Sequence, residues 1–285
     1  ETEERIRDFA DIPSPYVAGL MDKYFDTTLW PLVETNRGCP FSCAFCTEGL
    51  SYFNKVNKKS NDKIRDELTY IAKHHKKQKM IFMADSNFLM FKENLEVCDV
   101  ISELQQEYDW PAFIGCTTGK NRQEIILEGA KRVNGIIPLL ASVQHLDPDV
   151  LKNIKRNNIS VDDLFDVARQ GNKTGVTTYS ETICSLPGDT LDKYKETLSG
   201  LIESGMNIIK THALLLIEGT ELYTPEARAK FGFQTRFRPN IQSFGHYRFV
   251  DEDYLAVECE EIVVATSTLS FEDYLECRRL QLTVH

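Results

Sequence analysis

The spacing of apolar positions alternates between two periods along the chain. Short apolar, β-branched runs recur at Leu32–Thr35, Lys79–Ala84, Ala112–Thr117, Ile136–Val143, Thr177–Ser185 and Ile208–Ile217, and read as six strands. Helical spacing takes over across 60–76, 92–107, 121–131, 147–155 with 161–172, and 190–204. Ser60 or Asn61, Asn121, Asp147, and Asp189 or Thr190 stand where a side chain can accept from the first free N–H groups of these helices. Gly171 and Gly205 stand where two of them should end. A strand followed by a helix, repeated in this way, predicts an α/β fold with a parallel sheet and right-handed crossovers. Six units form an incomplete, TIM-like (β/α)6 barrel, and ligands bind at the C-terminal ends of such strands.

Both ends of the chain depart from this pattern. Ile12-Pro13-Ser14-Pro15 forbids regular helix. An amphipathic stretch follows, with Val17, Leu20, Met21, Tyr24 and Phe25 at helical spacing. The tail loses the alternation: an arginine- and aromatic-rich stretch, Phe231 to Phe249, leads to an acidic segment and a helix over 270–281. The expected division is a linker over 1–30, a partial barrel over 31–218, and a C-terminal extension over 219–285 that covers the barrel's open edge.

With 42% hydrophobic residues the chain can bury a sizeable core. Its net charge of −10 argues against a nucleic-acid backbone as the main partner. The first residues, ETEERIRDFADIPSPY, are polar and acidic, unlike a secretory leader. No run approaches the ~20 apolar residues that span a bilayer. The eight cysteines therefore read as reduced thiols or metal ligands in a cytoplasmic setting. The chain opens without Met and is expected to be a segment of a longer protein.

The densest chemistry lies in RGCPFSCAFC, where Cys39, Cys43 and Cys46 fall within eight residues. A tetrahedral zinc site wants a fourth ligand, and none follows at a usual short spacing. An electron-transfer [4Fe–4S] cluster also takes four cysteines. Three thiolates leave one iron open to a further ligand. A zinc-stabilised binding module and a non-catalytic iron–sulfur electron carrier remain the alternatives.

This spacing, directly after the first predicted strand, resembles the radical S-adenosylmethionine (SAM) superfamily. The resemblance implies a [4Fe–4S] cluster whose open iron chelates SAM, and reductive cleavage of SAM to a 5′-deoxyadenosyl radical that abstracts hydrogen from a substrate. It places Phe45 near the adenine. Asp85, Ser86 and Asn87, at the end of the second strand, fall where the family binds the SAM amino group, although the family's Gly-Gly-Glu form is absent. Gln144 falls at the ribose position, with Ser142 on the same strand face, and Arg156 or Lys155 falls where a cation can meet the SAM carboxylate. ETICSLPGDT is similar to the family's fifth strand, with Ser185 in place of a Gly, Asp189 in place of a Glu, and Pro187-Gly188 facing the adenine edge. Glu181 or Thr182 could line the cavity. IEGTEL is similar to the family's sixth-strand ending. These matches span about residues 31–222.

The connector DIPSPYVAGLMDKYF resembles the linker that follows a cobalamin-binding domain in one branch of the family. That likeness implies cobalamin held by a domain absent from this chain, with methyl transfer as one outcome. The implied partners are a small-molecule or biosynthetic-intermediate substrate and an electron donor such as flavodoxin or ferredoxin.

Cys98, Cys116, Cys184 and Cys259 sit in apolar contexts and read as core thiols, with Cys116 and Cys184 as candidates to face the cavity; Cys277 has no assignable role. His74-His75 reads as a solvated helix end, and His145 and His212 as strand-end candidates. Arg236, Arg238 and Arg248, interleaved with Phe237, Phe244, Tyr247 and Phe249, could meet an anionic substrate or simply cover the barrel edge.

Overall fold

The computed structural model describes residues 12–119 and 122–284. The first eleven residues of the expected linker, the candidate cap Asn121 and the Phe244 side chain lie outside the described part. In chain order the elements are β1 (Leu32–Val33), β2 (Asn36–Arg37), β3 (Asn57–Lys58), α1 (Asn61–His74), β4 (Met80–Phe88), α2 (Asn94–Tyr108), β5 (Phe113–Thr118), α3 (Gln123–Arg132) and β6 (Leu139–Leu140). They continue with α4 (Pro148–Asn153), α5 (Val161–Thr174), β7 (Thr178–Cys184), α6 (Leu191–Ser204), β8 (Ile208–Ala213), α7 (Pro225–Phe231), β9 (Gln234–Phe249), β10 (Glu252–Ala265) and α8 (Phe271–Val284).

The six predicted barrel strands are all present and parallel. β4 lies between β1 and β5, with Leu32 opposite Phe82 and Met80 opposite Phe113. β7 lies between β6 and β8, with Leu139 opposite Thr178 and Tyr179 opposite Ile208. The Ile114 N–H donates to the Ile136 carbonyl at 3.2 Å and Thr118 Oγ1 to the Leu140 carbonyl at 3.4 Å, which stitches the two triplets together. Among the described residues no pairing joins β1 to β8, so the barrel is open there.

Helical spacing places the core. Ile64, Leu68 and Ile71 of α1 are buried with Ile81 and Met83 of β4 and Ile101 of α2. Ser60, Asp147 and Thr190 cap α1, α4 and α6 by accepting from Lys63, Val150 and Lys193 N–H groups. Gly205 ends α6 in the left-handed region as expected. Gly171 does not end α5. The helix runs on to Thr174 and turns at Gly175, φ +70°. Gly171 is needed inside the helix because the Thr178 side chain packs against its Cα, and an added Cβ would lie 2.1 Å from Thr178 Cγ2.

Three other expectations differ. The fourth strand shrinks to Leu139–Leu140 because Gln144 adopts φ +64° and the Val143 carbonyl accepts from His145, breaking the extended run. Residues 15–25 form turns and one short 3-10 segment, Asp22–Tyr24, rather than an amphipathic helix: Tyr16 and Phe25 are buried, whereas Val17 and Leu20 are exposed. The tail contains a long antiparallel hairpin, β9 and β10, that the mixed polar pattern did not reveal. The end of β10 extends the sheet past β8, since the Leu216 N–H donates to Glu261 and the Val263 N–H to Leu214, both at 2.9 Å. α8 covers α6 beside it, with Gln281 Nε2 donating to the Tyr194 hydroxyl at 2.7 Å.

Candidate functional site

The cysteine loop is built on close backbone approaches. Gly38, φ +105°, lies against the Phe53 and Lys55 carbonyls, where an added Cβ would come within 2.7 and 2.6 Å. The Cys39 N–H donates to Phe53 O at 2.9 Å, and the Ala44 N–H to Ile154 O at 3.0 Å. A short 3-10 turn, Thr47–Gly49, follows Cys46. It folds Gly49 onto the Cys43 peptide, leaving 2.3 Å between a built Cβ and Cys43 O.

This loop closes one wall of a cavity of about 180 Å³ at the C-terminal ends of the strands. Cys39, Cys43 and Cys46 all line it, as do Phe45, Ser86, Asn87, Gln144, Arg156 and Glu181. Residues from β4, β7, the chain after β6 and the helix-α4 exit, distant in sequence, therefore converge on the three thiols. Burial pushes the Cys46 thiol up, the Glu48 N–H at its sulfur pulls it down, and the neighbouring Cys43 and Cys39 push it up again. Thiols that repel one another's ionised forms are stabilised as thiolates by a cation placed between them.

Asn87 Nδ2 donates to Cys39 Sγ at 3.2 Å. Arg156 is buried and contacts Cys43; burial lowers its pKa while the Cys43 sulfur supports its charge. Its Nη2 donates to the Ser142 carbonyl and its Nε to Asn158 Oδ1 at 2.9 Å. Lys155, the other cation considered, points outward into an ion pair with Glu221 at 2.6 Å. Glu181 accepts from Tyr179 at 2.5 Å and Ser142 at 2.9 Å, with His212 Nε2 3.6 Å away. Burial raises its pKa, but those three groups outweigh burial and hold it at about 2. Thr182, one residue on, faces the other side of the sheet and bonds the Tyr194 hydroxyl at 3.1 Å, as the period of two requires.

Several expected site residues lie elsewhere. Asp85 does not line the cavity. It is buried and accepts from the Thr35 N–H and hydroxyl and from Asn36 Nδ2, tying β4 to the chain after β1. Burial raises its pKa to about 6 despite those donors. Pro187 and Gly188 do not line it either: the Pro187 carbonyl accepts from Asn153 Nδ2 at 2.9 Å, and Gly188 packs against the same side chain. His145 is fully buried. Its Nδ1 accepts from the Asp147 N–H, which leaves Nε2 to donate to Asp189 at 3.0 Å, so it holds the α4 and α6 starts together. Cys98 and Cys116 pack in the core that holds Ile64 and Ile81, and Cys184 in a separate apolar cluster with Tyr194 and Leu198, with burial pushing these thiols up to about 12, 12 and 11. Cys277, without a role in the sequence, is buried beside Cys184, whereas Cys259 is exposed on β10, contrary to expectation.

Among the cavity residues that escaped sequence reasoning, Glu48 carries the chemistry. Glu48 lines the cavity two residues after Cys46, and its Oε2 is buried with no hydrogen-bond partner among the described residues. A carboxylate inside a cysteine loop was the available signal.

Among the described residues no fourth cysteine and no histidine line the cavity. Among the described residues no three His, Cys, Asp or Glu side chains, the three loop thiols included, already close around one metal ion; Cys39, Cys43 and Cys46 share the wall of one cavity.

Residues 33–201 match the family model of the radical SAM superfamily, and the chain belongs to that family. The family works with a [4Fe–4S] cluster and SAM. Among curated relatives, the chain is 28% identical to the cobalamin-dependent radical SAM methyltransferase TokK of Streptomyces tokunonensis, over 81% of this chain and 35% of that protein. It is 26% identical to a 2-(S-pantetheinyl)-carbapenam-3-carboxylate methyltransferase of Streptantibioticus cattleyicolor, over 96% of this chain and 41% of that protein. The chain thus spans well under half the length of these relatives. The solved methyltransferase TsrM of Kitasatospora setae, with tryptophan and a SAM analogue bound, shares the fold at a TM-score of 0.62 and 14% identity, over 77% of this chain and 42% of that one. The incomplete parallel barrel is therefore the fold of radical SAM enzymes. Among the described residues no helix is long and apolar enough to cross a membrane.

Proposed function

We propose that this chain is the catalytic core of a radical SAM methyltransferase that works with cobalamin. Cys39, Cys43 and Cys46 would hold a [4Fe–4S] cluster. Such a cluster would supply the electron that splits SAM to a 5′-deoxyadenosyl radical for hydrogen abstraction. The observation that carries this reading is the donor set: among the described residues, three thiols and no fourth cysteine or histidine share a cavity with acceptors and a buried cation.

The remaining residues divide the binding of SAM by charge. Glu48, with an orphaned buried carboxylate oxygen, would accept from the SAM ammonium, the role that Asp85 cannot fill from its buried position. Arg156 would face the SAM carboxylate. Gln144 and Glu181 would meet the ribose hydroxyls, and Phe45 the adenine. The Asn87 amide on Cys39 sulfur would stabilise the thiolate and raise the reduction potential of what it ligates. Cobalamin would be held outside the described residues, and a flavodoxin- or ferredoxin-type donor would supply the electron.

Anaerobic reconstitution with iron and sulfide tests this. The reduced chain should hold about four irons, and its paramagnetic resonance spectrum should change on addition of SAM. Cys43→Ala should lose the iron. A colourless chain carrying one zinc, or a cluster blind to SAM, rejects the reading.

A further inference from the structure

A second cavity, of about 260 Å³, lies on the open side of β8 and meets the first at Phe45, which lines both. Arg238 of β9 and Arg278 of α8 enter it from the C-terminal extension, His212 comes from β8, and Ile183 and Leu215 supply apolar wall.

Its charges do not balance. Arg238 reaches Glu260 at 2.8 Å. Arg278 is half-buried and donates to the neutral amide of Gln281, and among the described residues no carboxylate lies within ion-pair distance of it. His212 already faces Glu181 at 3.6 Å, across the boundary with the first cavity. Arg238 is exposed and already paired, so the uncompensated charge is that of half-buried Arg278 beside the apolar wall, a cost that a bound monoanion relieves.

We propose that this cavity binds the substrate, and that the substrate is a compact carboxylic acid. Its carboxylate lies between Arg278 and Arg238, its apolar body lies on Ile183 and Leu215, and its reacting carbon points past Phe45 toward the cysteine cavity. The inference rests on the function proposed above, since it gives a substrate to that site. It also assigns the extension a task in recognition beyond covering the barrel edge. Of the three arginines singled out in the sequence only Arg238 takes part. Arg236 lies over the Phe271 ring and Arg248 pairs with Asp253.

The test compares 3-phenylpropionate with its amide, 3-phenylpropanamide, titrated by NMR into the reconstituted 285-residue chain. The acid should bind at least about tenfold tighter, as expected of a charge-assisted pair over a neutral one. Arg278→Gln and Arg238→Gln should each shrink that preference, and Glu260→Gln, which frees Arg238, should enlarge it. Equal binding of acid and amide, binding of neither, or a preference untouched by all three substitutions overturns the inference. Failure of the wild-type chain to cleave SAM would instead overturn the function and leave the pocket's preference standing as a separate result.

Discussion

Replacing Gly49 with alanine should empty the cysteine loop of iron while leaving the fold nearly intact. The added Cβ would lie 2.3 Å from Cys43 O, 3.0 Å from its N and 3.1 Å from its carbonyl carbon, all backbone atoms. An ordinary carbon–oxygen contact is ~3.3 Å, so the two peptides must part by about 1 Å. They cannot part freely: the Cys46 N–H donates to Cys43 O at 3.1 Å, and Ala44 is tied to Ile154 at 3.0 Å. Overpacking of this kind costs ~1–3 kcal/mol, a drop of roughly 2–10 °C in melting temperature for a chain of this size. Ligand positions in a metal site tolerate only about 0.2 Å. The expected result is therefore a modest loss of stability with loss of most of the iron, read by iron analysis and by the visible absorbance of the cluster. Gly175→Ala is the matched control. Gly175 has φ +70° and nothing within 4 Å of an added Cβ, so it should lose ~1 kcal/mol and keep its iron. Full iron in Gly49→Ala would refute the reasoning.

Glu48→Gln should weaken SAM binding by about tenfold or more but hardly affect a SAM analogue lacking the amino group; equal losses for both would show that Glu48 does not meet the ammonium. Glu181 has a folded pKa of about 2, below the ordinary 4.5, so its stabilisation is complete above pH 4.5 and is lost as pH falls toward 2. That is worth ~3 kcal/mol at most; denaturation across this window should be flatter in Glu181→Gln, and an unchanged acid limb would contradict the assignment. Ser185 occupies φ +65°. Ser185→Gly should be neutral or stabilising by up to ~1 kcal/mol, and Ser185→Val destabilising by more than ~2 kcal/mol, in thermal melts; the reverse order would show that the hydroxyl, not the backbone, decides this position.

Period and spacing made the barrel legible, because parallel strands buried on both faces are short apolar runs and their helices carry a clear 3.6 period. The same alternation put Glu181 on the cavity wall and Thr182 behind it, whereas Ser142 and Gln144 reach that wall from the chain beyond the shortened fourth strand. Backbone conformation was less legible. Nothing in IIPLLASVQH announces that Gln144 turns left-handed and ends the strand, and Gly171 was misread because its glycine serves the approach of Thr178 rather than a helix end. Asp85 and His145 show a further limit: a polar residue at a strand end can face the ligand or brace the next turn, and only the fold decides. Asp85 braces Thr35 and Asn36, and His145 braces Asp147 and Asp189. Arg278 escaped notice because an arginine in a polar tail helix looks like any solvated one until β8 and β9 close around it.

The most direct measurement is reductive cleavage of SAM by the anaerobically reconstituted chain, with 5′-deoxyadenosine quantified by chromatography. The wild-type chain should form it on reduction, and Cys39→Ala, Cys43→Ala and Cys46→Ala should each form none. Cleavage that persists with all three cysteines replaced, or a fully loaded cluster that never cleaves SAM, would contradict the assignment of this cavity.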